Sequence, residues 1–281
     1  MKLAILSDIH GNYLAFKACV DYIAQNDFDG IVLLGDYITD CPYPQKTIKL
    51  LKQVMKKYKT WAIRGNREQY MIDYRNKDIT GLSYGSQTGS LLYTYENLTS
   101  ADVDFFCELP ITQTIEIEDC KPFAICHGSP DDLRCVLKPN TEITDEYLKN
   151  SKTDFLLCGH THKPFVYNAF GKILINCGSV GCPTNGQTKS QFSSFEFANN
   201  NWKNELISVE YDINEMLNDF EKSGILENGK MWAYSMMKLL KTGENYPVKC
   251  IQKAWELAQK DNSSETTETH WQQAAKELEI I

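Results

Sequence analysis

The residues of this chain most suited to chemistry are its histidines. Four of the five stand in short polar turns after an apolar run, three of them beside a glycine: His10 in Asp8-Ile9-His10-Gly11, His127 in His127-Gly128, and His160, with His162 two residues on, in Gly159-His160-Thr161-His162. Imidazole is the commonest protein ligand for transition metals, and residues two apart on an extended segment point to one face. Asp8 with His10, and His160 with His162, can therefore each aim two donors at one point. Asp-x-His alone could equally cap a helix or bond a loop. What decides is the recurrence, because Asp36 follows Gly35 and Asn66 follows Gly65 at the ends of two further apolar runs. Asp8, His10, Asp36, Asn66, His127, His160 and His162 make seven candidate ligands, enough for two cations if one carboxylate bridges. Oxygen and imidazole donors together suit Mn2+, Fe or Zn2+ better than Ca2+.

Such donors converge only if the chain supplies parallel strands ending on one edge. Leu3 to Leu6, Gly30 to Leu34 and Trp61 to Ile63 read as buried strands, separated by amphipathic helical stretches such as Ile48, Leu51, Met55 and Tyr58. Strands alternating with single helices imply parallel βαβ units, whose strand ends share an edge where open sheets bind ligands. Gln113 to Glu118, Phe123 to Cys126, Phe155 to Cys158, Phe165 to Asn168, Ile173 to Asn176, Phe192 to Phe197 and Glu205 to Tyr211 read as further strands. Met71 to Pro110 reads as helical and irregular, with Thr99 and Asp102 spaced as a cap. Pro130 to Asn150 reads as a loop with a short helix, a candidate rim. Both are expected to shape the pocket. The turn Cys177-Gly178-Ser179-Val180-Gly181 could approach an anion through its N–H groups. Past Asp212 the spacing turns helical, as in Ile251, Ala254, Trp255 and Ala258, so a main domain over 1–211 carries a helical extension over 212–281.

The remaining composition narrows the classes. A formal net charge of -8 argues against nucleic-acid or anionic-membrane binding. The apolar run ending at Ser7 is too short for a signal peptide, and no segment reaches the roughly 18 to 20 apolar residues of a membrane span. A cytoplasmic protein is expected. The ten cysteines are scattered without a Cys-x-x-Cys pair, which reads as buried thiols.

The ordered series Asp-x-His, Gly-Asp, Gly-Asn, His-Gly and Gly-His-x-His, from Asp8 to His162, resembles that of the calcineurin-like metallophosphoesterases. The resemblance implies an α/β fold of two facing sheets flanked by helices, a four-layer sandwich. It also implies that Asp8, His10 and His162 take one metal, that Asn66, His127 and His160 take the other, and that Asp36 bridges them. Asn66, Arg67 and His127 are the expected catalytic residues, with Asn12 and Arg67 on the substrate phosphate. Where many members read Gly-Asn-His-Glu, this chain reads Gly65-Asn66-Arg67-Glu68, and where small members often continue Gly-Gln-Pro-Arg it reads Gly181-Cys182-Pro183-Thr184. An arginine does not donate a proton near neutral pH, and the fifth histidine, His270, lies far off in the tail. The implied activity is two-metal hydrolysis of phosphoanhydride or phosphodiester bonds in a small phosphorylated substrate, expected to be a nucleotide of the diadenosine tetraphosphate type. A general phosphodiesterase, a protein phosphatase and a non-catalytic scaffold on the same fold are the alternatives; a scaffold would lose ligands, and every ligand position here is filled.

Overall fold

The computed structural model describes residues 1–281. The chain opens as alternating strands and helices: β1 (Lys2–Leu6), α1 (Tyr13–Ala24), β2 (Gly30–Leu33), α2 (Pro44–Lys57), β3 (Thr60–Ala62) and α3 (Asn66–Asn76). The helices α4 (Gly89–Glu96) and α5 (Ser100–Glu108) follow, and Thr99 and Asp102 form the expected reciprocal cap at the start of α5. Next come β4 (Thr112–Ile115), β5 (Phe123–Cys126), α6 (Glu142–Asn150), β6 (Phe155–Cys158), β7 (Phe165–Ala169), β8 (Lys172–Asn176), β9 (Ser190–Ala198) and β10 (Asn201–Val209). Four helices end the chain: α7 (Ile213–Lys222), α8 (Ile225–Thr242), α9 (Tyr246–Lys260) and α10 (Glu268–Glu277).

Ten strands form two five-stranded mixed sheets, ordered β10-β9-β1-β2-β3 and β4-β5-β6-β8-β7. Within them β1, β2 and β3 are mutually parallel, as are β5, β6 and β8. The period of two along each strand decides the layers. On β1, Leu3 and Ile5 face the second sheet, packing with Phe123, Ile125, Phe155 and Leu157. Ala4 and Leu6 face the other way, toward Phe16, Ile48 and Leu51 of the helices. On β6, Leu156 and Cys158 pack outward against Leu148 of α6. Strands covered on both faces must be apolar throughout, which is why β2 and β6 are buried at every position. The α/β four-layer sandwich is thus as expected from the sequence.

The last four helices pack in chain order, α7 on α8, α8 on α9 and α9 on α10, with α8 also on α4. Met216, Phe220, Met236 and Leu239 form a core with Tyr93 of α4 and with Cys41 and Cys182 of two loops at the strand ends. Trp271 of α10 anchors a satellite core with Cys250, Ala254 and Leu257 of α9. No helix is long and apolar enough to cross a membrane. All ten cysteines are free and most are buried.

Candidate metal centre

The loops after β1, β2, β3, β5 and β6 meet on one edge, and their backbones are forced to do so. Asp8, His10, Asp36, His160 and His162 all have positive φ, between 51° and 66°. That left-handed conformation costs a non-glycine residue about 1 kcal/mol or more, and it persists where surroundings over-determine it. Here ladder-like hydrogen bonds between loops supply the constraint: Asp8 N donates to Gly35 O at 3.0 Å, His10 N to Asp36 O at 2.9 Å and Gly159 N to His127 O at 3.0 Å. Glycines beside Asp36, Asn66 and His160 let the loops touch. A Cβ on Gly65 would collide with the Asp36 carboxylate, and one on Gly159 with the Ser7 hydroxyl and Asp8.

The side chains so placed form two trios whose donor atoms lie within 4.8 Å of one another: Asp8, His10 and His162, and Asp36, His127 and His160. Asp36 Oδ2 lies 3.6 Å from His10 Nε2 and 3.4 Å from His127 Nε2, so this carboxylate sits between the trios. Asn66 Oδ1 is 3.1 Å from His127 Nε2. The tautomers follow from the outer partners. Nδ1 of His127 faces Leu34 O at 2.8 Å, Nδ1 of His162 faces Cys182 O at 2.8 Å, and Nδ1 of His10 faces Asp40 Oδ2 at 2.9 Å. Those oxygens only accept, so each Nδ1 carries a proton, and whenever the ring is neutral its Nε2 presents a lone pair inward. His10 Nε2 and His162 Nε2 then stand 3.0 Å apart, lone pair to lone pair, and Asp8 Oδ1 is buried without any hydrogen-bond partner. Such an arrangement is repulsive unless a cation or protons fill it, and the donor set fits a divalent metal.

The surrounding carboxylates draw positive charge onto these rings, as protons where no cation is bound. Burial opposes charge on His10, but the Asp40 and Asp8 carboxylates outweigh it and hold the ring up at about 10. Burial is likewise outweighed at His127, where Asp36 pushes the ring up to about 9. His160 goes the other way, down to about 4, through burial and the neighbouring His127. Burial would raise the Asp36 carboxyl, yet His127 and His10 hold it at about 2. The pocket carries buried negative charge that calls for positive partners.

Sequence reasoning missed the layer behind the ligands. Asp40, 2% exposed, accepts from His10 Nδ1 and from Trp232 Nε1 at 2.8 Å, and its Oδ2 lies 3.2 Å from Arg67 Nη2. Its only signal was a carboxylate following a short apolar run, four residues past Asp36. Glu68 does not pair with Arg67. Its carboxylate accepts from the backbone N–H of Gly65, Asp36 and Tyr37 at 2.8 to 2.9 Å, stapling the second and third loops together, and burial with the nearby Asp36 pushes it up to about 7. The Arg67 guanidinium faces the cavity, with a buried Nε that lacks a hydrogen-bond partner.

Three expectations need correction. Asn12 is fully buried: its Oδ1 caps α1 by accepting from Ala15 N, and its Nδ2 donates to Gly181 O and the Tyr211 hydroxyl, so it holds the fold and does not reach a phosphate. The glycine-rich turn spends its N–H groups internally, Val180 on Ser7 O and Gly181 on Asp8 O, and so offers no anion cradle. Neither Met71 to Pro110 nor Pro130 to Asn150 lines the cavity. The cavity, about 250 Å³, has His10, Asp36, Asn66, Arg67, His160 and His162 on one side. Its other side comes from α8 and the start of α9: Trp232, Met236, Leu239, Asn245, Pro247 and Val248. His270 is remote from it, bonded to Thr267 and Asp261.

Comparison with known proteins places the fold in a family. The calcineurin-like phosphoesterase superfamily domain matches residues 1–200. An uncharacterised protein of Methanocaldococcus jannaschii is 25% identical over 245 residues, covering 80% of this chain and 94% of the relative. A hypothetical protein from Pyrococcus horikoshii shares the fold with a TM-score of 0.72 at 21% identity, over 86% of this chain and 98% of its own. A metallophosphoesterase from Sphaerobacter thermophilus does so with a TM-score of 0.67 at 21% identity, over 86% and 99%.

Proposed function

The chain belongs to the calcineurin-like phosphoesterase superfamily and is a metal-dependent phosphoesterase, and from that premise we propose that it hydrolyses phosphoanhydride or aryl-like phosphodiester bonds of nucleotides, dinucleoside polyphosphates such as diadenosine tetraphosphate first among them. Asp8, His10 and His162 would hold one divalent cation, Mn2+ or Fe in preference to Zn2+, and Asn66, His127 and His160 the other, with Asp36 shared. Two cations in such a site supply an activated water nucleophile and offset charge on phosphorus. The protein's own contribution is positional. Asp40, Leu34 O and Cys182 O fix the three Nδ1 atoms and so aim the rings. Arg67, whose guanidinium lines the cavity, is placed to donate to phosphate oxygens. Residues 212–281 form the extension that closes the site.

The observation that carries the substrate class is Arg67. Every imidazole lining the cavity belongs to the candidate ligand set, and a guanidinium with a pKa above about 12 cannot protonate a leaving group. Phosphoanhydrides and aryl esters expel groups that need little protonation, whereas alkyl esters do not. A cavity of about 250 Å³ falls below the roughly 300–1,000 Å³ of drug-sized pockets, too small for a whole dinucleoside polyphosphate, so part of such a substrate would extend outside it. The test is a substrate panel with Mn2+ read by product analysis. Diadenosine tetraphosphate and bis-p-nitrophenyl phosphate should be cleaved well and phosphoserine peptides poorly, and Arg67→His should shift the ratio toward alkyl esters by roughly tenfold or more. Equal wild-type rates on phosphoserine peptides and diadenosine tetraphosphate would end this reading.

A further inference from the structure

We infer that the wall built from α8 and the start of α9 is a nucleobase subsite, with Trp232, Met236, Leu239 and Val248 as its apolar surface and Asn245 as its polar contact. This rests on the reading of the centre as a nucleotide phosphohydrolase and adds which residues choose the substrate.

A cavity meant for a bare phosphate needs charge and donors on every side. This one faces its charged half with apolar side chains, so the ligand that fills it carries an apolar body beside its phosphate. Trp232 is held in place from behind: its Nε1 donates to Asp40 Oδ1 at 2.8 Å, and Met231 N donates to Ser86 Oγ at 3.1 Å. Just before it, Lys230 breaks the helix with φ 42° and ψ -124°. Non-glycine residues adopt such a conformation only where the surroundings enforce it, and this one sits where the chain turns Trp232 toward the cavity. Asn245 supplies the polar contact. Its Oδ1 accepts from Val248 N at 3.2 Å as the cap of α9, and its Nδ2 makes no hydrogen bond within the protein. An apolar platform with one free amide donor at its margin matches a heteroaromatic ring bearing acceptor nitrogens or carbonyls. A sugar or an alkyl chain would use only one of the two features.

Titration calorimetry on the metal-loaded protein with AMP and with ribose 5-phosphate isolates the base, since the two ligands share the phosphate and the sugar. Wild type should bind AMP roughly tenfold or more tightly than ribose 5-phosphate. Leu239→Ala should bring that ratio toward one. Because Leu239 also packs in the core, Asn245→Asp is the second variant: aspartate caps α9 as well as asparagine does, any repulsion of phosphate acts on both ligands alike, and loss of the amide donor should still lower the ratio several-fold. Equal affinities for the two ligands in wild type, or a ratio untouched by both variants, overturns the subsite. Hydrolysis of diadenosine tetraphosphate without any preference for AMP would remove this inference and leave the proposed activity standing. A preference for AMP that both variants abolish, in a protein inactive on the whole panel, would keep the subsite and remove the activity.

Discussion

Two walls face each other across the cavity, and they are built on opposite principles. The ligand wall comes from five loops at strand ends, with left-handed backbone at Asp8, His10, Asp36, His160 and His162 and nearly every polar atom committed. The opposite wall comes from helices more than 200 residues along the chain and presents ordinary apolar side chains, two of them, Met236 and Leu239, 3% exposed. Strained loops locked to rigid strands hold donor atoms to a fraction of an ångström but tolerate almost no change. Apolar side chains on a docked helix repack at modest cost. Chemistry is therefore invested where the fold is stiff and selectivity where it can drift, and the division can be challenged by perturbing one wall and reading the other.

The largest effect should come from Asp36→Asn. The substitution keeps the shape and an Oδ1 able to accept from Arg67 N, a bond of 2.8 Å in the native protein, but removes the charge that lies between the two trios. Turnover should fall at least about 10²–10³-fold, the scale on which losing one charge-stabilising group at a reacting centre is felt. Metal content by inductively coupled plasma mass spectrometry should fall at both positions together. Retention of two metals with wild-type turnover would show that Asp36 is not shared.

Chelation sharpens the contrast through stability. A ligand at 100 to 1,000 times its dissociation constant stabilises the native state by about 2.7–4.1 kcal/mol. For a chain of this size that corresponds to a Tm drop of roughly 5–15 °C on adding EDTA, reversed by Mn2+. Leu239→Ala, a cavity on the other wall, should cost about 2–5 kcal/mol in the presence and absence of chelator alike. Scanning calorimetry separates the two. A Tm indifferent to EDTA would mean that the lone-pair cluster at His10 and His162 is relieved by protons and not by metal.

The ligand wall was legible in the sequence and its partner was not, for physical reasons. Glycine next to a donor marks loops that must touch, and an apolar run before it marks a strand end, so His10, Asp36, His127 and His160 announce their places locally. The wall of α8 and α9 has only helical periodicity to offer, and periodicity says which face is buried but not against what. Asp40 was hidden because its importance comes from His10, Arg67 and Trp232, partners separated from it by 30 to 192 residues for the two bonded ones. Asn12 carried a local signal that pointed elsewhere: an asparagine immediately before an amphipathic helix is first of all a cap, and its amide was used up there and on Gly181 and Tyr211.

The smallest effect tests whether the two walls are separate at all. Besides the apolar packing of Met236 and Leu239 on Cys41 and Cys182, they are joined at the centre by the hydrogen bond from Trp232 Nε1 to Asp40 Oδ1, and Asp40 in turn orients His10 through Nδ1. Trp232→Phe removes that donor while keeping an aromatic body on the wall. Asp40 Oδ2 keeps His10, Thr39 Oγ1 at 2.9 Å and the nearby Arg67, and Oδ1 keeps Ser90 Oγ at 3.4 Å, so the fold should hold. Removing a direct partner of a ligating histidine typically costs 10–100-fold in metal affinity. Trp232 stands one step further out, so a loss of a few-fold, below about tenfold, is expected, measured by competition with a metal-sensitive dye. Metal affinity identical to wild type would make the helical wall a cover that merely lies over an independent centre. A loss as large as that of Asp40→Asn would mean that the wall, and not the strand-end loops, sets the geometry of His10.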